Sequence, residues 1–204
     1  KRGILASEDF KRIFNSDVLL ISSITRTSPQ SQELAQLYKQ KNKEGIAIAG
    51  GPDPTFRVED WLKYVDIIVI GEGEKTISEL MNRLIEDPEN LGDIDGIAYK
   101  KRKEIVITKP RELLTSEELS ELPHPFYDKN IRKKLSSGVV ETSRGCPNNC
   151  DFCTVTKVYG RQYRTKSMDY IIKELKQTKD MGKCLFFTDD NLTAIPSKTM
   201  ELLE

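Results

Sequence analysis

Three short apolar runs constrain this chain most. Val18-Leu19-Leu20-Ile21-Ser22-Ser23, Ile46-Ala47-Ile48-Ala49 and Val65-Asp66-Ile67-Ile68-Val69-Ile70 are too short for core helices and too continuous for strands with one wet face. They read as buried parallel strands. Between them, residues 31–42 carry Leu34, Leu37 and Tyr38 at helical spacing, and Trp61 lies in a short amphipathic segment. Residues 76–85 place Ile77, Leu80, Met81 and Leu84 on one side of a helix. A further short helix is expected before the first run, with Phe10, Ile13 and Phe14 on one face. Strand and helix in this alternation build an open parallel sheet, which receives ligands at the carboxyl ends of its strands. Those ends carry Ser22-Ser23-Ile24-Thr25, Gly50-Gly51 and Gly71-Glu72-Gly73. Such small residues let a ligand approach the backbone, and they serve ordinary tight turns equally well.

The character changes near Asp93. Short strands over 94–99 and 104–108 flank Lys100-Lys101-Arg102-Lys103, a hairpin with a solvated basic tip, and Pro110, Pro123 and Pro125 then punctuate a linker. His124, the only histidine, lies between two of these prolines with no companion ligand, so no metal or acid–base role is expected for it. A second alternating unit starts at Gly138. Val139-Val140-Glu141-Thr142-Ser143 reads as a strand, Ser167 caps a helix that stops at Gly182, and Cys184-Leu185-Phe186-Phe187-Thr188 reads as the next strand. The expected organisation is therefore an incomplete α/β Rossmann-like domain over 1–90, a linker with a β-hairpin over 91–137, and a second α/β domain over 138–204. The chain starts at Lys1 instead of Met, and its last helical stretch, 196–204, has no stop signal. The expectation is a stretch of a longer protein.

Thirty-two Lys and Arg balance thirty-two Asp and Glu, so no bulk positive field draws nucleic acid, and no nucleic-acid partner is expected. No apolar run approaches the ~18 residues of a membrane-spanning helix, and Lys1-Arg2-Gly3-Ile4 is not followed by the apolar stretch of a signal peptide. Four cysteines are too few for a secreted disulfide scaffold of this length. A cytoplasmic location is expected.

Three of those cysteines carry the sharpest chemical signal. In Arg144-Gly145-Cys146-Pro147-Asn148-Asn149-Cys150-Asp151-Phe152-Cys153 the thiols recur after four and then three positions, on a loop just beyond a strand. Thiols so spaced can converge on one soft metal centre. A structural zinc site usually draws four ligands in two close pairs, and no second pair exists here. A 4Fe–4S cluster on three cysteines keeps one iron open. Cys184 opens an apolar strand and reads as a small core residue instead of a fourth ligand. Spacing alone leaves iron–sulfur, zinc and incidental reduced thiols open.

The cysteine spacing, with Phe152 before the last thiol and a strand before the loop, resembles the signature of the radical S-adenosylmethionine (SAM) superfamily. The similarity continues through Tyr159-Gly160-Arg161-Gln162-Tyr163-Arg164-Thr165-Lys166-Ser167 and Phe186-Phe187-Thr188-Asp189-Asp190-Asn191. The first half is similar to the later strands and turns of the cobalamin-binding domain that one branch of this superfamily carries. The resemblance implies that a partial cobalamin-binding domain precedes the first βα units of a partial (β/α)6 barrel. It implies that Cys146, Cys150 and Cys153 hold a 4Fe–4S cluster whose fourth iron chelates SAM, with reductive cleavage to a 5′-deoxyadenosyl radical. Phe152 would lie near the adenine through its backbone, and Asp189 and Asp190 would meet the SAM amino group, where carboxylates supply acceptors. A helix N-cap is the plain structural alternative for the two aspartates. Arg161 and Arg164 would either meet a carboxylate or solvate a helix face. Cobalamin contacts would fall on Ser22, Thr25, Gly50, Gly51, Gly71, Glu72 and Gly73. A small-molecule or lipid-like substrate and an electron donor such as flavodoxin or ferredoxin follow from the same resemblance.

Gly71-Glu72-Gly73-Glu74-Lys75-Thr76 is not a nucleotide-triphosphate loop, because it lacks the four-residue gap and its glutamates repel phosphate. The sequence departs from the wider cobalamin pattern in lacking Asp-x-His-x-x-Gly, the source of a histidine below cobalt, and His124 cannot replace it. It also supplies two barrel strands where about six are expected, so the chain by itself is not expected to turn over substrate. The expected chemistry is methylation or rearrangement of an unactivated carbon. Rivals are an RNA methylthiotransferase, which would carry a second cysteine set before Cys146, and a non-catalytic zinc-binding module.

Overall fold

The structure is a computed structural model and describes residues 7–204. Lys1-Arg2-Gly3-Ile4 lies outside the described residues. The chain divides into two units, Lys1–Glu112 and Leu113–Glu204.

In the first unit, helix α1 (Ser7–Phe14) leads into β1 (Val18–Ser22), α2 (Ser28–Lys41) and β2 (Ile46–Gly50). Two short helices, α3 (Pro52–Phe56) and α4 (Val58–Trp61), connect to β3 (Ile67–Val69). Then come α5 (Glu74–Glu86), β4 (Ile97–Lys101) and β5 (Glu104–Ile107). The strands form one sheet in chain order, β1 to β3 parallel and β4 and β5 antiparallel. Side-chain alternation divides it into two buried faces. Leu19, Ala47, Ala49 and Ile68 pack with Ala35, Tyr38, Trp61 and Leu62, whereas Ile48, Ile67 and Val69 pack with Leu80, Ile94 and Ile97. This burial on both sides explains the continuous apolar runs of β2 and β3; β1, expected to be buried as well, lies at the sheet edge, where Leu19 is buried but Leu20 is 54% exposed. Each fully buried large aliphatic side chain contributes about 1.5–3 kcal/mol, so neither face is dispensable.

The hairpin β4–β5 belongs to this sheet. Val69 pairs with Ile97, and Ile97 and Ala98 are fully buried. The sequence reading assigned this hairpin to a linker because its second strand and tip are charged. Its first strand is nonetheless apolar enough to close the second face of the core. The basic tip is exposed, and Arg102 takes a positive φ of 59°.

The second unit opens with α6 (Ser116–Glu121) and α7 (Lys129–Arg132), followed by β6 (Ser137–Val140) and β7 (Ser143–Arg144). The remaining elements are α8 (Val155–Val158), β8 (Arg164–Thr165), α9 (Met168–Thr178), β9 (Cys184–Phe187) and α10 (Pro196–Leu203). Strands β6 and β9 are parallel, with α9 in the crossover and Val140 opposite Phe187. Strands β7 and β8 form a separate antiparallel pair. Ser167 caps α9 by accepting the Tyr170 N–H, as its position predicts.

Two expectations for this unit are overturned. Cys184 is exposed, not a core residue, because β9 pairs only with β6 among the described residues and Leu185 and Phe186 beside it are exposed as well. Asp189 and Asp190 cap no helix, since α10 starts six residues later behind an N-cap at Ile195. Among the described residues, no helix is long and apolar enough to cross a membrane.

Candidate functional site

The loop that carries the cysteines is anchored at both of its roots. Where β6 ends, the Thr142 N–H donates to Asp189 Oδ2 at 3.1 Å and the Thr142 hydroxyl to Oδ1 at 2.6 Å. The Ser143 hydroxyl donates to the same carboxylate. Asp189 thus ties the end of β9 to the segment entering the cysteine loop. Next, the Gly145 N–H donates to Asp190 Oδ2 at 3.0 Å. Gly145 has φ +85°, and a Cβ there would lie 2.3 Å from the Gln162 carbonyl oxygen. Only glycine fits this crossing without displacing backbone. The Cys146 N–H donates to the Gly160 carbonyl at 3.4 Å, and Arg161 donates to the Pro147 carbonyl at 3.2 Å.

Arg161 and Arg164 therefore do something the sequence did not reveal. Arg164 is 2% exposed and donates to the carbonyls of Leu114 and Tyr159, so it is an internal strut and solvates no helix face. Arg161 props the cysteine loop at the Pro147 carbonyl.

All three thiols are free of disulfides; Cys150 is exposed, and Cys146 and Cys153 are half-buried. The Cys153 N–H closes a turn onto the Cys150 carbonyl at 3.0 Å. As a donor set, three unoxidised soft thiols on one short loop suit iron–sulfur ligation. Among the described residues, no three His, Cys, Asp or Glu side chains are gathered closely enough to hold a metal ion. The Asn191 side-chain amide reaches Cys146 Sγ at 3.6 Å. Phe152 is 90% exposed, so its ring has no part in the core and is open to a ligand.

Around this loop runs a charged network. Arg144 Nε lies 3.0 Å from Glu141, Lys166 Nζ 3.0 Å from the same carboxylate and 3.8 Å from Glu174. Lys166 also sits over the Tyr170 ring, 4.9 Å from its centroid. Burial pushes the Glu174 carboxyl above its ordinary range, against the pull of Lys166. Asp190 is raised too: enclosure of its carboxyl outweighs the Gly145 N–H, and Glu141 and Asp189 add like charge.

In the first unit the small-residue turns gather at the carboxyl ends of β1 to β3. Gly51, at φ +93°, would bring a Cβ to 2.8 Å from the Ser23 carbonyl, so the Gly50-Gly51 turn lies directly on the β1 exit. Ser22 and Thr25 are exposed there. The Gly71 N–H is held by Thr55 Oγ1 at 3.1 Å, and a Cβ at Gly71 would face open space. Glu72 is buried, and Gly73 precedes α5.

Two family models match in an order that agrees with the two units. The B12 binding domain matches residues 7–81 and the radical SAM superfamily matches residues 140–204. The chain belongs to the B12-binding radical SAM proteins. This radical SAM chain is 32% identical over 199 residues to an uncharacterized methyltransferase of Pyrococcus horikoshii, covering 93% of this chain and 43% of that protein. It is 32% identical over 146 residues to a putative methylthiotransferase of Methanocaldococcus jannaschii, covering 70% of this chain and 30% of the other. Its fold is similar to that of the radical SAM methyltransferase TsrM of Kitasatospora setae, solved with cobalamin and a 4Fe–4S cluster. That match has a TM-score of 0.77 at 14% identity and covers 96% of this chain and 42% of TsrM. The chain spans less than half the length of these relatives.

Sequence reasoning singled out the cysteines of this radical SAM chain but missed Thr142, Ser143, Glu141 and Lys166. A hydroxyl pair closing a strand, beside a later Asp-Asp, was the available signal.

Proposed function

We propose that this chain is the cofactor-binding portion of a cobalamin-dependent radical SAM methyltransferase acting on an unactivated carbon. The observation that carries the reading is the cysteine loop: three free thiols on a loop rooted in β6 and fastened to the end of β9. Cys146, Cys150 and Cys153 would hold a 4Fe–4S cluster. A cluster held by these three cysteines would supply the one-electron reduction of the SAM sulfonium.

The chain's own residues prepare the site. Asp190 offers acceptor oxygens for an amino group, and the Gly145 N–H fixes its carboxylate. Asp189, engaged by Thr142 and Ser143, acts mainly by holding that geometry. Phe152 would meet the adenine through its backbone. In the first unit, Ser22, Thr25, Gly50, Gly51, Gly71, Glu72 and Gly73 would face cobalamin, where the absence of bulky side chains admits a close approach. We assign a small-molecule or lipid-like substrate, a flavodoxin- or ferredoxin-like electron donor and a cytoplasmic location to the same reading.

Methylthio transfer is the second reading, favoured by the similarity to a putative methylthiotransferase. Anaerobic iron–sulfur reconstitution followed by electron paramagnetic resonance, with and without SAM, tests the proposal. A reduced 4Fe–4S signal that changes with SAM supports an open iron. Zinc in place of iron, or a cluster indifferent to SAM, overturns it.

A further inference from the structure

The Asn191 amide donates toward Cys146 Sγ at 3.6 Å, a length suited to the large sulfur acceptor. Its other end is engaged as well, since the Thr193 hydroxyl donates to Asn191 Oδ1 at 3.5 Å. Asn191 is half-buried, and Cys146 is the most firmly rooted of the three cysteines, held by its own N–H on Gly160 and by Gly145 on Asp190. An amide donor fixed on a ligand sulfur stabilises the more negative, reduced state of a cluster more than the oxidised one.

We propose that Asn191 is a positioning residue that sets the reduction potential of the cluster through its N–H···S contact to Cys146. The inference rests on the assignment of the three cysteines as cluster ligands. Asn191 acts on the sulfur. Its removal makes the cluster harder to reduce without changing its iron content.

The test is an anaerobic potentiometric titration of the reconstituted chain without SAM, followed by electron paramagnetic resonance, for the wild type, Asn191→Leu and Asn191→Asp. Iron and sulfide content are measured on the same samples. The expected result is full cluster content with the reduced-to-oxidised ratio at a fixed potential lowered about three- to tenfold in Asn191→Leu. For a one-electron couple that corresponds to about 30–60 mV. Asn191→Asp, which puts a carboxylate where the donor stood, shifts the ratio further in the same direction. If Asn191→Leu fails to fold, Asn191→Asp carries the comparison. Unchanged ratios at full cluster content overturn the role of Asn191 alone. Failure of the wild type to assemble any cluster overturns the ligand assignment and the inference with it.

Discussion

The Thr142 hydroxyl lies 2.6 Å from Asp189 Oδ1, across 47 residues of chain. With the Thr142 N–H on the other oxygen and the Ser143 hydroxyl alongside, one carboxylate collects three donors where β6 and β9 end together. Hydrogen bonds to a charged acceptor are worth about 1.5–3 kcal/mol each when the alternative is an unsatisfied buried group. This carboxylate therefore fixes where the cysteine loop begins.

Asp189→Ala is expected to lower the unfolding free energy by about 2–3 kcal/mol. Thr142→Val should cost less alone and add little on top of Asp189→Ala, because both remove the same contact. Denaturant unfolding of the two single variants and the double variant measures this coupling. Additive losses would mean that the pair is not coupled.

Gly145 gives a sharper prediction. Its positive φ and the Gln162 carbonyl 2.3 Å from a built Cβ leave no room for alanine. Gly145→Ala should destabilise by more than the ~1 kcal/mol of an ordinary positive-φ substitution, since backbone must move. The displaced residue is the neighbour of Cys146, so iron uptake on reconstitution should fall together with the melting temperature. Gly71→Ala is the contrasting control, a positive φ with open space around the Cβ. It should lose only the backbone term.

The contrast between the two halves shows what the sequence could carry. Strands β2 and β3 were legible because burial on both faces writes a continuous apolar run, β1 because its run is apolar although Leu20 stays exposed at the sheet edge, and α9 because Ser167 and Gly182 mark its ends. The place of β4 and β5 was not, since a strand's partner is a long-range fact and the charges of Lys100 to Lys103 describe only the tip. Cys184 misled for a related reason: an apolar strand reads as buried whether or not anything covers it. The cysteines were legible because ligand spacing is local. Their surroundings were not, because Thr142 meets Asp189, and Lys166 meets Glu141 and Glu174, only after folding.

Asp53 in the first unit gives an acid-limb prediction. Burial alone would raise its carboxyl, but the Trp61 indole N–H at 2.7 Å and the Arg57 guanidinium at 3.5 Å hold it below its ordinary value of 3.8. A depressed pKa contributes stability above the unfolded value and loses it as pH falls through the folded one. Asp53→Asn should therefore lose about 1–3 kcal/mol at neutral pH and show a flatter decline below pH ~4. Stability curves from pH 2 to 7 for both proteins decide it, and parallel curves would deny Asp53 this role.

Glu174 should behave in the opposite sense. Its carboxyl is 4% exposed, faces Lys166 at 3.8 Å, and is raised above 4.5 by burial, with Glu141 adding repulsion. A raised carboxyl binds its proton more tightly in the folded state, so its contribution is complete below the unfolded value and falls as pH rises through the folded one. Glu174→Gln removes that penalty without changing shape. It should raise stability at pH 7–8 and flatten the slope between pH 4.5 and neutrality, while Lys166 keeps its 3.0 Å partner Glu141. Lys166→Met should do the reverse, leaving Glu141 and Glu174 uncompensated at a cost of about 3–5 kcal/mol. Thermal melts of both variants across pH 4–8 separate the two roles, because a merely packed Lys166 would give a loss independent of pH, whereas one that balances two carboxylates gives a loss that grows as they ionise.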